Sequence, residues 1–377
     1  MENTLESIVL ERIATHGPMP FVDFMAACLY EPGYGYYTSA GRKVGSGGDF
    51  YTSISVHAAF GRVLAREITT MWDSMGRPQD FTLLEVGAGH GRLACDIMDY
   101  LQQAAPACYN ATSIILVEQE PSLVEAQQAT LAEHRSKLTT LSPQEARSIK
   151  MRGVIYSNEL IDAMPVHRVI MGAQGLQEIY VTHEDGQLCD MQGPLSTPRL
   201  SSYLTTHGIP LHPGQEAEIS LAALDWLSDM VSVLQDGFIL TIDYGWPKAQ
   251  LYAPERNLGT LLCYYRHNVE DNPYTRIGQQ DITTHINFSA LMEKGEELGL
   301  ATLWFGDQSR FLMSAGMLEE LEASEARDIS EKEKLKFRLA IKRLIMPEGG
   351  MGDTFRVLVQ SKDIKNAQLR CMNGLQP

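Results

Sequence analysis

The chain has 377 residues, with 31 lysines and arginines against 47 aspartates and glutamates, so its formal net charge is −16. A strongly acidic chain is repelled by phosphate backbones and by anionic membranes, which argues against nucleic acids and membranes as partners. The length allows one large α/β domain with insertions or two ordinary domains, and the hydrophobic fraction of 44% is ordinary for a packed core.

The start of the chain and its cysteines indicate a cytoplasmic protein. The N-terminal residues lack the basic segment and the apolar run of a secretory signal. The six cysteines are scattered, with no C-x-x-C pair, so neither a zinc motif nor a redox motif is indicated and no bound metal is expected. The longest apolar runs have the length of strands, so no membrane span is predicted.

The first half of the chain alternates between helical and strand-like patterns. Helices are predicted at residues 5–15, 21–29, 56–72, 91–103 and 121–134, and buried strands at 81–86, 113–118 and 153–157. A loop rich in glycine and tyrosine is predicted at residues 31–53. Because strands that alternate with helices form parallel sheets with right-handed crossovers, this half predicts an α/β fold.

The second half interrupts this alternation with a β-hairpin, whose strands at 168–171 and 178–182 flank a turn at 172–175. The later predicted elements are helices at 220–234, 287–298 and 331–344 and strands at 238–243, 301–305 and 354–360. The polar segment 245–285 contains glycines, prolines and aromatic residues, and a connection of this length is typical of a lid or binding loop.

The strongest chemical signal is the segment 85–91, EVGAGHG, which ends a predicted strand and begins a predicted helix. Gly87, Gly89 and Gly91 allow a tight turn and a close approach of the backbone to a nucleoside cofactor. A pyrophosphate loop would have glycine at the position of Arg92. The pattern that begins at Glu85 is instead the variant associated with S-adenosylmethionine (SAM); a tight turn without a ligand is the alternative.

Glu118 ends the next predicted strand. A carboxylate at this position can accept hydrogen bonds from two ribose hydroxyls, since it is a natural bidentate acceptor. A solvated acid at the end of a strand is the alternative interpretation. The glycine loop just before it favours the cofactor role.

A third group of polar residues lies in the segment 157–165, SNELIDAMP, which follows the strand at 153–157. Ligands of open α/β sheets bind beyond the carboxyl ends of the strands, so Asn158, Glu159 and Asp162 are predicted to face a methyl acceptor. Carboxylates can orient a cationic nitrogen nucleophile such as a guanidinium and offset its charge. The alternative is a polar turn that caps a helix.

These motifs, together with several others, resemble the MidA-like family of SAM-dependent methyltransferases. The mitochondrial members of that family are protein-arginine methyltransferases needed for assembly of respiratory complex I. The matching segments, in chain order, are residues 31–37, 48–53, 85–91, 117–118 with 121–123, 157–165, 242–245 and 278–285. The resemblance therefore extends over nearly the whole chain.

The resemblance implies a class I methyltransferase (Rossmann-like) fold: a mostly parallel seven-stranded sheet with helices on both faces and an antiparallel last strand. It also implies an N-terminal cover, residues 1–75, that folds over the cofactor. Asp49, Thr52 and Ser53 then become candidate cofactor contacts, beside Glu85, Gly87, Gly89, Gly91 and Glu118. The core, residues 76–377, is expected to carry insertions at about 164–235 and 246–285.

The function that follows is a methyltransferase that uses SAM and acts on a protein, at an arginine guanidinium, with Asn158, Glu159 and Asp162 as the catalytic residues. Two alternatives remain open at this point. One is a non-catalytic assembly factor that binds SAM, and the other is a methyltransferase of a small molecule. Monomer and homodimer are both compatible with the sequence.

Four further residues have two interpretations each. Asp243 could line the acceptor pocket or cap the next loop. His285 is expected to be a structural hydrogen-bonding residue more than a base. Glu216 and Glu218 could add negative charge to the acceptor site, but the pattern favours a solvated helix N-terminus.

Overall fold

The computed structural model describes residues 4–39, 58–266, 268–326, 330–346, 352 and 354–373. Asp49, Thr52 and Ser53, the predicted cofactor contacts of the N-terminal cover, lie outside the described residues. Their role stays a prediction.

The described strands and helices are numbered separately in chain order. The strands are β1 Met19–Pro20, β2 Phe81–Val86, β3 Thr112–Val117, β4 Leu138–Leu141, β5 Met151–Asn158, β6 His167–Gly172, β7 Gly175–Glu184, β8 Gln187–Gly193, β9 Glu216–Ile219, β10 Leu234–Trp246, β11 Leu262–Tyr265, β12 Asn268–Glu270, β13 Asp281–Thr283, β14 Ile286–Asn287, β15 Ala301–Asp307 and β16 Phe355–Lys362. The α-helices are α1 Leu5–His16, α2 Phe21–Tyr30, α3 Ala59–Ser74, α4 Arg92–Ala104, α5 Pro106–Ala111, α6 Leu123–Thr130, α7 Pro143–Ala146, α8 Arg199–Thr206, α9 Leu221–Val233, α10 Lys248–Leu251, α11 Phe288–Glu297, α12 Gln308–Ala315, α13 Met317–Glu325 and α14 Glu331–Ile345. Short 3-10 helices span Ala132–Lys137 and Cys371–Asn373.

The main sheet has the strand order β15-β16-β10-β5-β2-β3-β4, and β14 pairs in addition with the end of β10. Strands β10, β5, β2, β3 and β4 run parallel to one another along this path, whereas β15 and β16 pair antiparallel. The α/β class and the mostly parallel sheet with an antiparallel pair at its end are therefore confirmed. The sheet is mixed and not purely parallel.

The chain divides into two compact units. The sheet unit comprises Tyr51–Leu160, Leu227–Asp243 and Lys294–Pro377, and the insert unit comprises Met1–Phe50, Ile161–Trp226 and Tyr244–Glu293. In sequence, the insertions predicted at about 164–235 and 246–285 overlap the two later segments of the insert unit. Helix α3, which the prediction gave to the N-terminal cover, belongs to the sheet unit.

The central strands of the sheet unit form because they are short apolar runs buried on both faces. Leu83, Leu84, Ile114 and Leu116 have no exposed surface. Parallel strands covered by helices on both faces show continuous apolar runs of this kind instead of alternation. Burial of such side chains is the main favourable term in the folding free energy. The sheet therefore provides a rigid frame for the loops at its carboxyl edge.

The insert unit contains a five-stranded antiparallel sheet of order β1-β7-β6-β9, with β8 paired to β7. The predicted hairpin is confirmed, because Gly172 pairs with Gly175 across the turn between β6 and β7. A second turn follows β7, where Asp185 and Gly186 adopt φ values of +51° and +83°. Two left-handed residues in a row are the mark of a tight hairpin turn.

Two predictions about the insert unit were wrong. The segment 245–285 is not one long loop: it contains α10 and a three-stranded antiparallel sheet of order β12-β11-β13. Glu216 and Glu218 do not lie at a solvated helix N-terminus, because they belong to β9, which pairs with β6. Strands of three or four residues are too short to show a periodicity, and the tertiary pairing therefore decides their structure.

All six cysteines are free thiols. Among the described residues, none of the helices is both long and apolar enough to cross a membrane.

Candidate functional site

The carboxyl ends of the parallel strands lie side by side. Val86 at the end of β2 pairs with Val117 of β3 on one side and with Ser157 of β5 on the other. Farther along, Asn158 of β5 pairs with Ile242 of β10. The residues that come next along these strands are Gly87, Glu118, Glu159 and Asp243. In open α/β sheets this edge is the place where ligands bind.

The three predicted glycines of the loop all have left-handed backbones, with φ values of +73° at Gly87, +51° at Gly89 and +73° at Gly91. A Cβ at Gly87 would lie 2.8 Å from Leu160 Cδ1, and one at Gly91 would lie 2.8 Å from Leu131 Cδ1. A Cβ at Gly89 would meet no atom within 4 Å. The left-handed backbone therefore favours glycine at all three positions, a Cβ at the outer two would also displace a leucine side chain, and Gly89 leaves open space above the loop.

The carboxylate of Glu118 is held against this loop by backbone N–H groups. Gly89 N donates to its Oε2 at 2.9 Å, and Gln119 N and Glu120 N donate to its Oε1 at 2.8 and 3.1 Å. Burial raises the pKa of Glu118 above its ordinary value, while these donors act in the opposite direction. The sequence predicted that Glu118 and the glycine loop act together, and the structure brings them into contact.

Gln127 supports the same loop and was not predicted. It lies on α6, has no exposed surface, and its Nε2 donates to Gly89 O at 2.7 Å. A signal existed in the sequence: Gln127 lies three residues after Val124 and four before Leu131, on the apolar stripe of the predicted helix. A polar residue on such a stripe needs a buried partner, which the loop carbonyl provides.

Glu85 is buried, with 3% of its surface exposed. The hydroxyl of Tyr156, its partner across β2 and β5, donates to Glu85 Oε2 at 3.1 Å, and the N–H of Ala94 in the first turn of α4 also donates to the carboxylate. Burial raises the pKa of Glu85 to about 8. The carboxyl thus joins the strand before the glycine loop to the helix after it.

Asn158 and Glu159 are in contact at the end of β5, where Asn158 Nδ2 donates to Glu159 Oε1 at 3.1 Å. Glu159 has a left-handed φ of +51°, and its N–H donates to Ile242 O at 3.0 Å. A non-glycine residue in this region is uncommon and strained. The strain is held in place by Asp243, which is fully buried and whose Oδ2 accepts from Leu160 N at 3.2 Å. Asp243 is therefore a positioning residue for this turn.

Asp162, the third predicted catalytic residue, comes after the chain has passed from the sheet unit into the insert unit between Leu160 and Ile161. It is 4% exposed, and its backbone carbonyl accepts from Thr284 N at 3.0 Å. Burial and then the charges of Asp162 and Asp281 raise the pKa of Tyr264. Within the insert unit, Asp162 therefore belongs to a buried group of acids and tyrosines.

His285 and Glu218 are fixed inside the insert unit. Trp246 Nε1 donates to His285 Nδ1 at 3.1 Å, and burial, followed by the charge of Arg256, lowers the pKa of His285 to about 4. Glu218 is 8% exposed, and its Oε2 accepts from the N–H and the hydroxyl of Thr260 at 2.9 and 3.1 Å. His285 is thus neutral near pH 7, and Glu218 is a buried structural acceptor.

A strand, a left-handed glycine loop, a helix and an acid after the next strand define a class of α/β protein that binds a nucleoside cofactor. The open space at Gly89 and the carboxylate beside it fit such a group. The family model described as S-adenosyl-L-methionine-dependent methyltransferase matches residues 63–306. The chain belongs to this family, the MidA-like SAM-dependent methyltransferases.

Solved structures and curated relatives agree with this assignment. The chain is 31% identical to a superfamily member and candidate methyl transferase from Burkholderia thailandensis bound to S-adenosyl-homocysteine, with a TM-score of 0.87 over 97% of this chain and 94% of the other. It is 25% identical to the mitochondrial protein arginine methyltransferase NDUFAF7 of Mus musculus, over 92% of this chain and 82% of the relative. It is 26% identical to the NDUFAF7 homolog of Caenorhabditis elegans, over 77% and 71%.

The cofactor of this enzyme is SAM, which supplies a methyl group bound to a positively charged sulfur. Glu118 is predicted to accept hydrogen bonds from its ribose, and the backbone at Gly87, Gly89 and Gly91 to allow its close approach. Glu85 is predicted to take part as well, although its carboxyl is buried between strand and helix. These assignments to individual residues remain predictions.

Proposed function

We propose that this methyltransferase acts on an arginine guanidinium of a protein. The observation that carries the proposal is the carboxylate of Glu159, held by a strained backbone at the carboxyl end of β5 beside Asn158. Strain of this kind concentrates where a side chain must be held in one place for function.

A carboxylate in this position suits a cationic acceptor. The guanidinium is planar and permanently charged near pH 7, and a carboxylate can accept two parallel N–H bonds from it. The contact from Asn158 to Oε1 comes from a neutral amide, so it orients Glu159 without cancelling its charge. Glu159 thus holds the guanidinium in position and offsets its charge, and the proton that the nitrogen loses on methylation leaves to solvent.

The names of the relatives support the same acceptor. The mouse and human relatives are both called protein arginine methyltransferase NDUFAF7, at 25% identity each. An identity of 25% supports a shared cofactor site more strongly than a shared substrate. The protein substrate is therefore part of the proposal. A cytoplasmic location also belongs to the proposal, and the six free thiols support it.

The proposal is tested by finding the labelled residue. Purified protein is incubated with methyl-tritiated SAM and a lysate of a strain that lacks the chain, and the labelled proteins are hydrolysed to amino acids. We expect the label to elute with methylated arginine. Label in methyl-lysine, or only in the small-molecule fraction, would contradict the proposal. SAM binding without any transfer would favour the non-catalytic assembly factor.

Variants connect the label to Glu159. Glu159→Gln keeps the size of the side chain and removes its charge, so we expect labelling to fall by about 100-fold, as for loss of one preorganised polar group. The matched control is Glu322→Gln, an exposed acid in the sheet unit. Calorimetry with S-adenosyl-homocysteine should give the same affinity for both variants, which separates loss of transfer from loss of cofactor.

A further inference from the structure

Among the described residues, the side chains of Cys95, Asp99 and His134 form one group whose metal-ligating atoms all lie within 4.8 Å of one another. Cys95 and Asp99 are one helical turn apart on α4, and His134 lies on the 3-10 helix Ala132–Lys137. The spacing C-x-x-x-D with a histidine 35 residues after the aspartate matches no linear zinc motif. This is why the sequence predicted no metal.

The distances within the group are close to those of a metal centre. His134 Nε2 lies 2.9 Å from Asp99 Oδ1, and Cys95 Sγ lies 3.8 Å from Asp99 Oδ2. Bonds of about 2.0–2.3 Å to a tetrahedral zinc ion place the ligand atoms about 3.3–3.7 Å apart. All three pairs of ligand atoms lie within 4.8 Å, so movements on the order of one ångström bring the three donors to one ion.

The surroundings of His134 are compatible with the group both without and with a bound metal ion. The ring is fully buried, and its Nδ1 lies 2.9 Å from the hydroxyl of Tyr109. A tyrosine hydroxyl can either donate to this nitrogen or accept from it. When Nε2 is released from Asp99 to bind a metal, Nδ1 carries the proton and donates to Tyr109, the arrangement that metal-binding histidines require of their outer partner.

We propose that Cys95, Asp99 and His134 bind a zinc ion, with a water molecule as the fourth ligand. A thiolate, an imidazole and a carboxylate are the ligand types that zinc prefers, and thiolate disfavours magnesium and calcium. Asp99 is 49% exposed, which gives the ion a path from solvent and room for the water. Burial raises the pKa of Cys95 to about 11, so zinc has to displace the thiol proton.

The site would join two supports of the glycine loop. Cys95 N donates to Gly91 O at 3.1 Å, so the ligand-bearing turn of α4 continues directly from the loop. The helix α6, which carries Gln127, ends at Thr130, two residues before the 3-10 helix of His134. Zinc would therefore cross-link the helix after the loop to the segment that follows Gln127.

Zinc binding is measured on the full-length protein, first stripped with a chelator and then titrated with Zn²⁺ alone. We expect one equivalent to bind wild type and to raise Tm, because a ligand that binds only the folded state stabilises it. Cobalt in place of zinc should give a thiolate-to-cobalt charge-transfer band. Cys95→Ser should abolish the band, and both Cys95→Ser and Asp99→Asn should weaken zinc by more than about tenfold.

The matched control is Cys189→Ser, which removes a half-buried thiol of β8 in the insert unit and should bind zinc as wild type does. Binding of S-adenosyl-homocysteine by Cys95→Ser shows that the variant is folded, and this readout does not depend on the acceptor. Wild type that binds no zinc at micromolar concentration overturns the proposal. Equal zinc affinity in Cys95→Ser and wild type also overturns it, since the ion then sits elsewhere.

Discussion

Two regions of the sheet unit hold their buried carboxylates in opposite ways. At the carboxyl edge of the sheet, the partners of Glu118, Glu85 and Asp243 described above are backbone N–H groups and a tyrosine hydroxyl. On the face formed by α3 and α13, Glu320 accepts from the guanidinium groups of Arg62 and Arg66 at 2.6 and 2.9 Å.

The difference appears in the pKa values. Burial raises the pKa of Glu118 and of Glu85. Burial also acts on Glu320, but the hydrogen bonds and charges of Arg62 and Arg66 outweigh it and hold the pKa of Glu320 below its ordinary value. Neutral donors orient a carboxylate without adding an opposite charge, whereas arginines pair their positive charge with it. Arg62 and Arg66 therefore stabilise the charged form of Glu320, whereas Glu118 and Glu85 at the carboxyl edge bind a proton more readily than free carboxyls do.

The largest effect is expected for Glu320→Ala. Removing one partner of a buried ion pair leaves Arg62 and Arg66 without their counter-charge, which costs about 3–5 kcal/mol in the free energy of unfolding. Urea denaturation measures this loss, with Glu322→Ala as the exposed control. The affinity for S-adenosyl-homocysteine should be unchanged in the variant that remains folded. If Glu320→Ala loses as much affinity for S-adenosyl-homocysteine as the variants of the carboxyl edge described next, the proposed contrast between the two regions is wrong.

The next effect is that of Gly89→Val, which fills the open space above the loop and forces a branched side chain into a left-handed backbone. We expect the affinity for S-adenosyl-homocysteine to fall by more than about 100-fold, or about 2.7 kcal/mol. Gly76→Val is the control for strain, because Gly76 also has a positive φ, +78°, with no atom within 4 Å of its Cβ position. Similar losses in both variants would show that strain alone is responsible.

Glu118→Gln should have a smaller effect, because one of its oxygens is replaced by an NH₂ that cannot accept. We expect the affinity for S-adenosyl-homocysteine to fall by about tenfold, the loss of one charge-assisted hydrogen bond, and Tm to fall as well, because the new NH₂ faces a backbone N–H that the carboxylate had accepted. Glu120→Gln changes an acid two residues away in the same turn and should bind as wild type does. If Glu120→Gln is the weaker binder, the ribose contact has been assigned to the wrong residue.

At pH 5, Glu85→Gln is expected to change the stability least of these variants. At that pH the carboxyl of the folded protein is protonated and therefore uncharged, like the amide that replaces it. The pKa of Glu85 rises from 4.5 to about 8 on folding, so the folded state binds the extra proton between these values. The stability that Glu85 contributes is therefore fully present below pH 4.5 and is lost as the pH rises through about 8. Tm measured from pH 5 to 9 should fall less steeply in Glu85→Gln, and parallel profiles would contradict the buried position.

The local part of this site could be predicted from the sequence. The glycine loop and Glu118 lie at the ends of strands with clear apolar runs, and the parallel register then brings them together. Gln127 and Tyr156 were not predicted, because their partners are Gly89 O and Glu85, which only the tertiary packing supplies. A polar residue on an apolar stripe indicates that a buried partner exists without saying which.

The insert unit was predicted less well for a related reason. The β6–β7 hairpin has a long alternating pattern and a glycine turn, and it was found. Strands β9 and β11 have four residues each, and β12 and β13 have three, so the pairing partners decide their structure. Glu218 shows the consequence: an acid next to a predicted helix was expected in solvent, and it is instead buried against Thr260.

The left-handed backbone of Glu159 has a consequence for engineering. A glycine at this position would relieve about 1 kcal/mol of conformational strain and would remove the carboxylate at the same time. A library selected only for heat resistance should therefore accumulate glycine at position 159, and a library selected for turnover should retain glutamate. Position 159 can thus be optimised for stability or for activity, but no single substitution there achieves both.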